Sequence, residues 1–205
     1  MFTGLIAEIG IIRRIKRYAS SMEITCEASR QLLLDYNIGD SMAINGACLT
    51  AIHCTETTFT VLIMPETVKR TTFQASKIGD KVNLERAMQQ NQRFEGHFVA
   101  GHIDTTTRLL DKKILDHATI LTFSYPPKLN GQLIAQGSIA IQGVSLTITQ
   151  TTTNKFSVSL IPHSSHLTTL GELVIGESVN LETDMIGKYV EVQQKRMQAK
   201  ETVYE

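Results

Sequence analysis

Ser41-Met-Ala-Ile-Asn-Gly-Ala-Cys-Leu-Thr50 and Ser138-Ile-Ala-Ile-Gln-Gly-Val-Ser-Leu-Thr147 are one stretch written twice, 97 residues apart. The register holds without a gap as the comparison is extended. Phe59 and Val61 fall on Phe156 and Val158, Pro65 on Pro162, and Thr71-Thr72 on Thr168-Thr169. Ile78-Gly79 with Val82-Asn-Leu-Glu85 falls on Ile175-Gly176 with Val179-Asn-Leu-Glu182, and near the starts Gly4 and Ile6 fall on Gly101 and Ile103. Between Ser41 and Glu85, 18 of 45 aligned positions are identical, where unrelated segments of average composition would share about three. The chain is a duplication, and the repeat divides it into units at 1–97 and 98–187 with a tail at 188–205.

Each unit reads as short strands. Phe59-Thr-Val-Leu-Ile63 and Phe156-Ser-Val-Ser-Leu-Ile161 are rich in β-branched and aromatic residues, and Thr149 to Thr153 suits a sheet better than a helix. Turn residues punctuate them at Asn37-Ile-Gly-Asp40, Asn45-Gly46, Ile78-Gly79-Asp80 and Asn130-Gly131. Six or so strands in about 95 residues point to an all-β fold, two similar small barrels whose closure removes exposed sheet edges. Glu27 to Tyr36 is compatible with a helical turn or two. Lys188 to Thr202 has no glycine or proline and reads as a helix. Its loose apolar stripe, Tyr189, Val190, Val192 and Met197, suits packing against another copy of the chain.

Composition excludes several classes. The 205 residues carry 20 lysines and arginines against 20 aspartates and glutamates, so a nucleic-acid or polyanion partner is not expected. The basic run Arg13, Arg14, Lys16, Arg17 is short and reads as the solvated side of a strand. No apolar stretch approaches the roughly 20 residues of a membrane helix. The N-terminus is a poor signal peptide, because Glu8 interrupts its apolar run. Cys26, Cys48 and Cys54 form no CxxC pair, so neither a disulfide framework nor a zinc site is expected, and the cytoplasm is the default compartment.

The informative positions are those where the halves stop matching. Cys48 stands opposite Ser145, His102 opposite Leu5, and Pro65-Glu66-Thr67 opposite Pro162-His163-Ser164. Cys48 is a candidate nucleophile; the alternative is a small buried hydrophobe. His102 is a candidate general base, or a hydrogen-bonded loop histidine. Ser145 and Thr147 could donate to a ring carbonyl, or simply open a strand. His97 and His102 lie five apart, which is not the usual spacing of a metal pair, and His163 with His166 reads as a turn, so no metal is expected. Nucleotide-binding and hydrolase motifs do not occur.

At these residues the chain resembles the riboflavin synthase family, built on lumazine-binding repeats. The resemblance runs nearly the whole length, through MFTG at 1–4, NGxCLT at 45–50, GHFxxGHID at 96–104, GSIAIxGVSLT at 137–147, IPH at 161–163 and GKYVE at 187–191. It implies two six-stranded Greek-key barrels and a C-terminal helix through which bacterial forms become homotrimers. It also implies a cofactor-free enzyme that dismutates 6,7-dimethyl-8-ribityllumazine, one molecule held by each barrel, between the first barrel of one subunit and the second of its neighbour. Cys48, His102, Ser145 and Thr147 are then the catalytic candidates, with Phe2, Ser41 and Thr50 beside them. Pocket linings follow at Gly4, Leu5 and Ile6; Leu49 and Thr50; Leu62, Ile63, Met64, Pro65, Glu66 and Thr67; Gly101, His102 and Ile103; Gln136; Leu146; and Ser159, Leu160, Ile161, Pro162, His163 and Ser164.

Three positions depart from the family's pattern. Gln136 stands where lysine is common, Gln142 where aspartate is common, and Glu95 where glycine is common. The two neutral amides bear on the second pocket, because neither can supply a charge or a base. The competing expectation is a non-catalytic relative that holds a lumazine or flavin as a chromophore. Such relatives tend to lose polar residues from the second pocket, so retained Cys48, His102, Ser145 and Thr147 favour the enzyme, while Gln136 and Gln142 favour the carrier. A purely structural pair of barrels has only the fold to recommend it.

Overall fold

The computed structural model describes residues 1–91, 93–129 and 131–201, with side chains through Met197. The first repeat contains β1 (Glu8–Arg17), β2 (Met22–Glu27), β3 (Ser41–Ile44), β4 (Ala47–Cys54), β5 (Thr58–Ile63), helix α1 (Pro65–Arg70) and β6 (Lys81–Arg86). The second contains β7 (Thr105–Leu115), β8 (Ala118–Ser124), β9 (Ser138–Ile141), β10 (Val144–Thr151), β11 (Lys155–Leu160), α2 (Pro162–Leu167) and β12 (Ser178–Thr183). Helix α3 (Met185–Glu201) follows. Each set of six antiparallel strands closes into a barrel, in the order β1-β2-β5-β4-β3-β6 and its equivalent. The strand β2 lies beside β5, the last of a three-strand meander, which is Greek-key topology.

Alternation along the strands fills each barrel. On β2, Met22, Ile24 and Cys26 point inward and Glu23, Thr25 and Glu27 outward. Burial pushes the Cys26 thiol up to about 12, so this cysteine is core. Phe59 anchors the first interior edge-on to Tyr36, and Phe123 stacks on Phe156 in the second. The bulges repeat as well: the register slips after Ile12 and Ala51, and again after Leu109 and Ile148. These bends help short strands curl into a closed cylinder.

The barrels are joined by a buried polar network that the duplication makes nearly symmetric. The Asn83 amide donates to the Gln142 carbonyl at 2.9 Å, and the Asn180 amide donates to the Asn45 carbonyl at 2.9 Å. Thr169 N–H donates to Asn83 Oδ1 and Thr72 N–H to Asn180 Oδ1, both at 2.8 Å. Asn45 Oδ1 and Gln142 Oε1 accept the backbone N–H groups of Asn83 and Asn180.

Local expectations fare unevenly. Residues 30–35 form the expected turn or two, with Leu33 N–H donating to the Ser29 carbonyl and Tyr36 N–H to the Leu33 carbonyl. The tail helix begins at Met185, three residues before Lys188; Thr202 and the rest of 202–205 lie outside the described residues. Asn130 of the expected Asn130-Gly131 turn also lies outside them. Among the described residues no helix is long and apolar enough to cross a membrane.

Candidate active site

Two segments outside the barrels build the candidate site by crossing. Phe2 and Val99 pair antiparallel, with N–O distances of 2.8 and 3.2 Å. From there each segment runs onto the barrel of the other repeat. Ser145 N–H on β10 donates to the Gly4 carbonyl at 2.8 Å, and Cys48 N–H on β4 donates to the Gly101 carbonyl at 2.8 Å. Packing agrees: Ile6 lies against the second core and Ile103 in the first. Both glycines have φ near +80°, and an added Cβ would sit 2.6 Å from Ser145 Cβ or 2.5 Å from Cys48 Cβ. Only glycine permits both the backbone and the contact.

Strand alternation sorts the expected residues. On the first barrel Ser41 pairs with Thr50 and Ala43 with Cys48 across β3 and β4, on the outer face, and Leu62 is outward on β5. Leu49 and Ile63 point inward and belong to the core, so only their backbone can line an outer pocket. On the second barrel Ser138 pairs with Thr147 and Ala140 with Ser145, and Ser159 is half-buried. Leu160 points into the core and Leu146 packs against it. Met64 and Ile161 are exposed residues preceding α1 and α2, whose first helical residues are Pro65 and Pro162. Glu66 in the first turn of α1 pairs with Arg70, and this bond holds its carboxyl below the usual range. Thr67 carries the Thr71 hydroxyl on its carbonyl, as Ser164 carries that of Thr168. His163, His102 and Leu5 are exposed. Phe2 is fully buried in a small cluster with Ala43, Val99 and Ala140, against which Cys48 packs.

Gln142 is placed differently from the expectation that it bears on the second pocket. Gln142 is buried between the barrels, its side-chain oxygen occupied by Asn180 N–H. It is the counterpart of Asn45, and both have positive φ in their hairpins, 49° and 46°. A neutral amide suits that junction. Gln136 is exposed ahead of β9, with φ 66° where the first repeat has Gly39.

Three further residues belong to the site. His97, discounted as a metal ligand, is buried with its Nδ1 2.7 Å from Ser145 Oγ. Burial lowers its pKa, with a small opposing pull from Asp184, so the neutral imidazole is favoured. Its Nε2 is buried without a partner among the described residues. Glu85 on β6 accepts Thr3 N–H at 2.6 Å, the Thr3 hydroxyl at 2.7 Å and Gly4 N–H at 3.0 Å. Its equivalent Glu182 on β12 accepts Ala100 N–H at 2.7 Å and Gly101 N–H at 3.0 Å. The only cue to the carboxylates was their place in the repeated Val-Asn-Leu-Glu.

Comparison with known proteins supplies a frame for this geometry. The lumazine binding domain family matches twice, over residues 3–87 and 100–184. The riboflavin synthase of Bacillus subtilis (strain 168) is 45% identical over 190 residues, covering 93% of this chain and 88% of that protein. That of Actinobacillus pleuropneumoniae is 43% identical over 191 residues, with the same coverage. A crystal structure of LumP complexed with 6,7-dimethyl-8-(1'-D-ribityl) lumazine superposes with a TM-score of 0.82 at 24% identity, covering 89% of this chain and 99% of that one. At that identity the likeness concerns the fold.

Proposed function

The chain belongs to the riboflavin synthase family of lumazine-binding proteins, and from that membership we infer an enzyme that dismutates two molecules of 6,7-dimethyl-8-ribityllumazine. Four carbons pass from one molecule to the other, giving riboflavin and 5-amino-6-ribitylamino-uracil without a cofactor. The observation that carries this reading is a duplicated set of residues furnished differently in its two copies: Cys48 against Ser145, Leu5 against His102, Glu66 against His163. A dismutation binds the same molecule twice, once as donor and once as acceptor. Two copies of one site, diverged at reactive positions, meet that need.

The C7 methyl of the lumazine is acidic because the ring delocalises the resulting carbanion. A base takes that proton, and a nucleophile adds to C7 of the partner molecule. We assign these steps to the group Cys48, His102, Ser145 and Thr147, with water or a ribityl hydroxyl as the alternative nucleophile. A neutral His97 against Ser145 Oγ can draw on the hydroxyl proton or hold the hydroxyl in one orientation. Phe2, Ser41 and Thr50 adjoin the first pocket. Holding two substrates in register supplies much of the rate, since effective molarity alone can be worth roughly 7–11 kcal/mol.

In our reading the functional units are residues 1–97, 98–187 and 188–205, and the productive site pairs the first barrel of one chain with the second barrel of its neighbour in a homotrimer. Ile186, Tyr189, Val190, Val192 and Met197 stand exposed on α3, which supports assembly through that helix. Truncation after Gly187 is expected to dissociate the trimer and abolish activity; a truncated chain that sediments as an active trimer refutes this. Three free cysteines suit the cytoplasm. The deciding assay incubates purified protein with 6,7-dimethyl-8-ribityllumazine and follows riboflavin by absorbance. One riboflavin per two lumazines supports the enzyme. Stoichiometric binding without turnover assigns the chain to the chromophore carriers instead.

A further inference from the structure

We propose that Glu85 and Glu182 are positioning residues, each acting across the barrel junction: the carboxylate of one barrel holds the segment that completes the pocket of the other. The proposal rests on the dismutase reading for its substrate, but its geometry is independent of it. Strands β6 and β12 are buried on both faces. Val82 and Leu84 fill the first core, and Asn83 and Glu85 face away from it. Val179, Leu181, Asn180 and Glu182 repeat this division. Across the sheet Glu85 pairs with Ala43, and Ala43 with Cys48, so the three share one outer row. Glu182, Ala140 and Ser145 form the equivalent row.

Each carboxylate reaches past its own row to the crossing segment. Glu85 takes the N–H groups of Thr3 and Gly4, and the Gly4 carbonyl then accepts Ser145 N–H of the second barrel. Glu182 takes those of Ala100 and Gly101, and the Gly101 carbonyl accepts Cys48 N–H of the first barrel. The carboxylates are 6% and 1% exposed, so water cannot replace them as acceptors without rearrangement. The alanines at 43 and 140 leave room for Phe2 and Val99 to cross over the rows. Glu182 thereby sets where His102 sits over the Cys48 pocket, and Glu85 sets where Leu5 and Ile6 sit over the Ser145 pocket. An amide at either position keeps one acceptor and turns a donor toward a backbone donor, which displaces the segment.

The test compares Glu182→Gln with Glu85→Gln in the full-length protein at pH 8, above the raised pKa of Glu182, using riboflavin as the probe and hydrogen exchange as the readout. In Glu182→Gln, amides of 100–103 exchange faster and riboflavin no longer protects 58–67, while its protection of 155–164 persists. Glu85→Gln gives the mirror result: 3–6 loosen and protection is lost at 155–164 alone. With the lumazine as substrate, kcat falls on the order of tenfold to a hundredfold in each variant. Glu182→Asp keeps the charge but withdraws it by one carbon, and serves if the glutamine variant does not fold, with the same selective loss expected. Loss at the variant's own barrel, equal loss at both, or no loss overturns the proposal. A wild type that binds riboflavin at both barrels but makes none from the lumazine counts against the dismutase reading and leaves the exchange test intact.

Discussion

Replacing Asn83 by alanine removes a side chain that is completely buried between the barrels and bonded at both ends. Its amide supplies a donor to the Gln142 carbonyl and its oxygen accepts Thr169 N–H, each within 2.9 Å. Alanine leaves a buried carbonyl and a buried N–H without partners. A stranded buried group costs about 1–3 kcal/mol, so the pair costs about 2–6 kcal/mol, against a total stability of roughly 5–15 kcal/mol. Asn180→Ala breaks the equivalent bonds, but Thr72 is only half-buried where Thr169 is buried, so water can satisfy its N–H. Asn83→Ala is therefore expected to be the more damaging of the two. Urea unfolding at one fixed protein concentration measures both, and the fixed concentration matters for a chain that assembles. Because the network couples the barrels, Asn83→Ala should also separate one transition into two. A loss below about 1 kcal/mol for Asn83→Ala, or an equal or larger loss for Asn180→Ala, would refute the reasoning.

Gly101→Ala places a methyl against Cys48 Cβ at a left-handed backbone position, so turnover of the lumazine should fall at least as far as in Glu182→Gln; unchanged kcat would show that the contact yields freely. Gln136→Gly relieves a left-handed glutamine at a position where the first repeat already has glycine, and should raise stability by about 0.5–1 kcal/mol in thermal unfolding. A lowered melting temperature would mean that the Gln136 side chain contributes more than its backbone costs. Burial pushes Glu182 up to about 7 from an ordinary 4.5, against the N–H bonds from Ala100 and Gly101 and the charge of Lys188. The folded chain then keeps this proton where the unfolded chain has lost it, so the contribution is favourable at low pH and is lost as pH rises between 4.5 and about 7. At full shift it is on the order of 3 kcal/mol. Melting curves should therefore show Glu182→Gln gaining on the wild type from pH 5 to pH 8, and a constant gap would contradict this.

The duplication was legible in full, because identities at one fixed offset need no structural knowledge, and it carried the two barrels with it. The correspondence of Cys48 with Ser145 and of Leu5 with His102 came from the same offset. What the offset does not specify is which barrel a flanking segment covers. Gly4 aligns with Gly101 whether each lies on its own barrel or on the other, and only packing of the barrels against each other decides. His97 was missed for a related reason. Its partner Ser145 is 48 residues away, and spacing along the chain tested it only against His102. Helices α1 and α2 have six residues each, too few for a periodic apolar face. Asn45 was readable as a turn residue and is one, but its second role in joining the barrels, shared with its counterpart Gln142, requires a partner strand that the local sequence does not contain.

The repeated Val-Asn-Leu-Glu has a consequence for how this protein can change. Most strands here have one face that tolerates substitution, and a mutational scan along them should show tolerance at every second residue. Strands β6 and β12 have no such face: valine and leucine are fixed by the interior, asparagine by the joint between the barrels, and glutamate by the crossing segment. Their tolerance profile should be flat and low across all four positions. A lineage can therefore drift along the outer rows of β4 and β10, as the two halves have at 48 and 145, while these eight residues stay as they were when the gene was single.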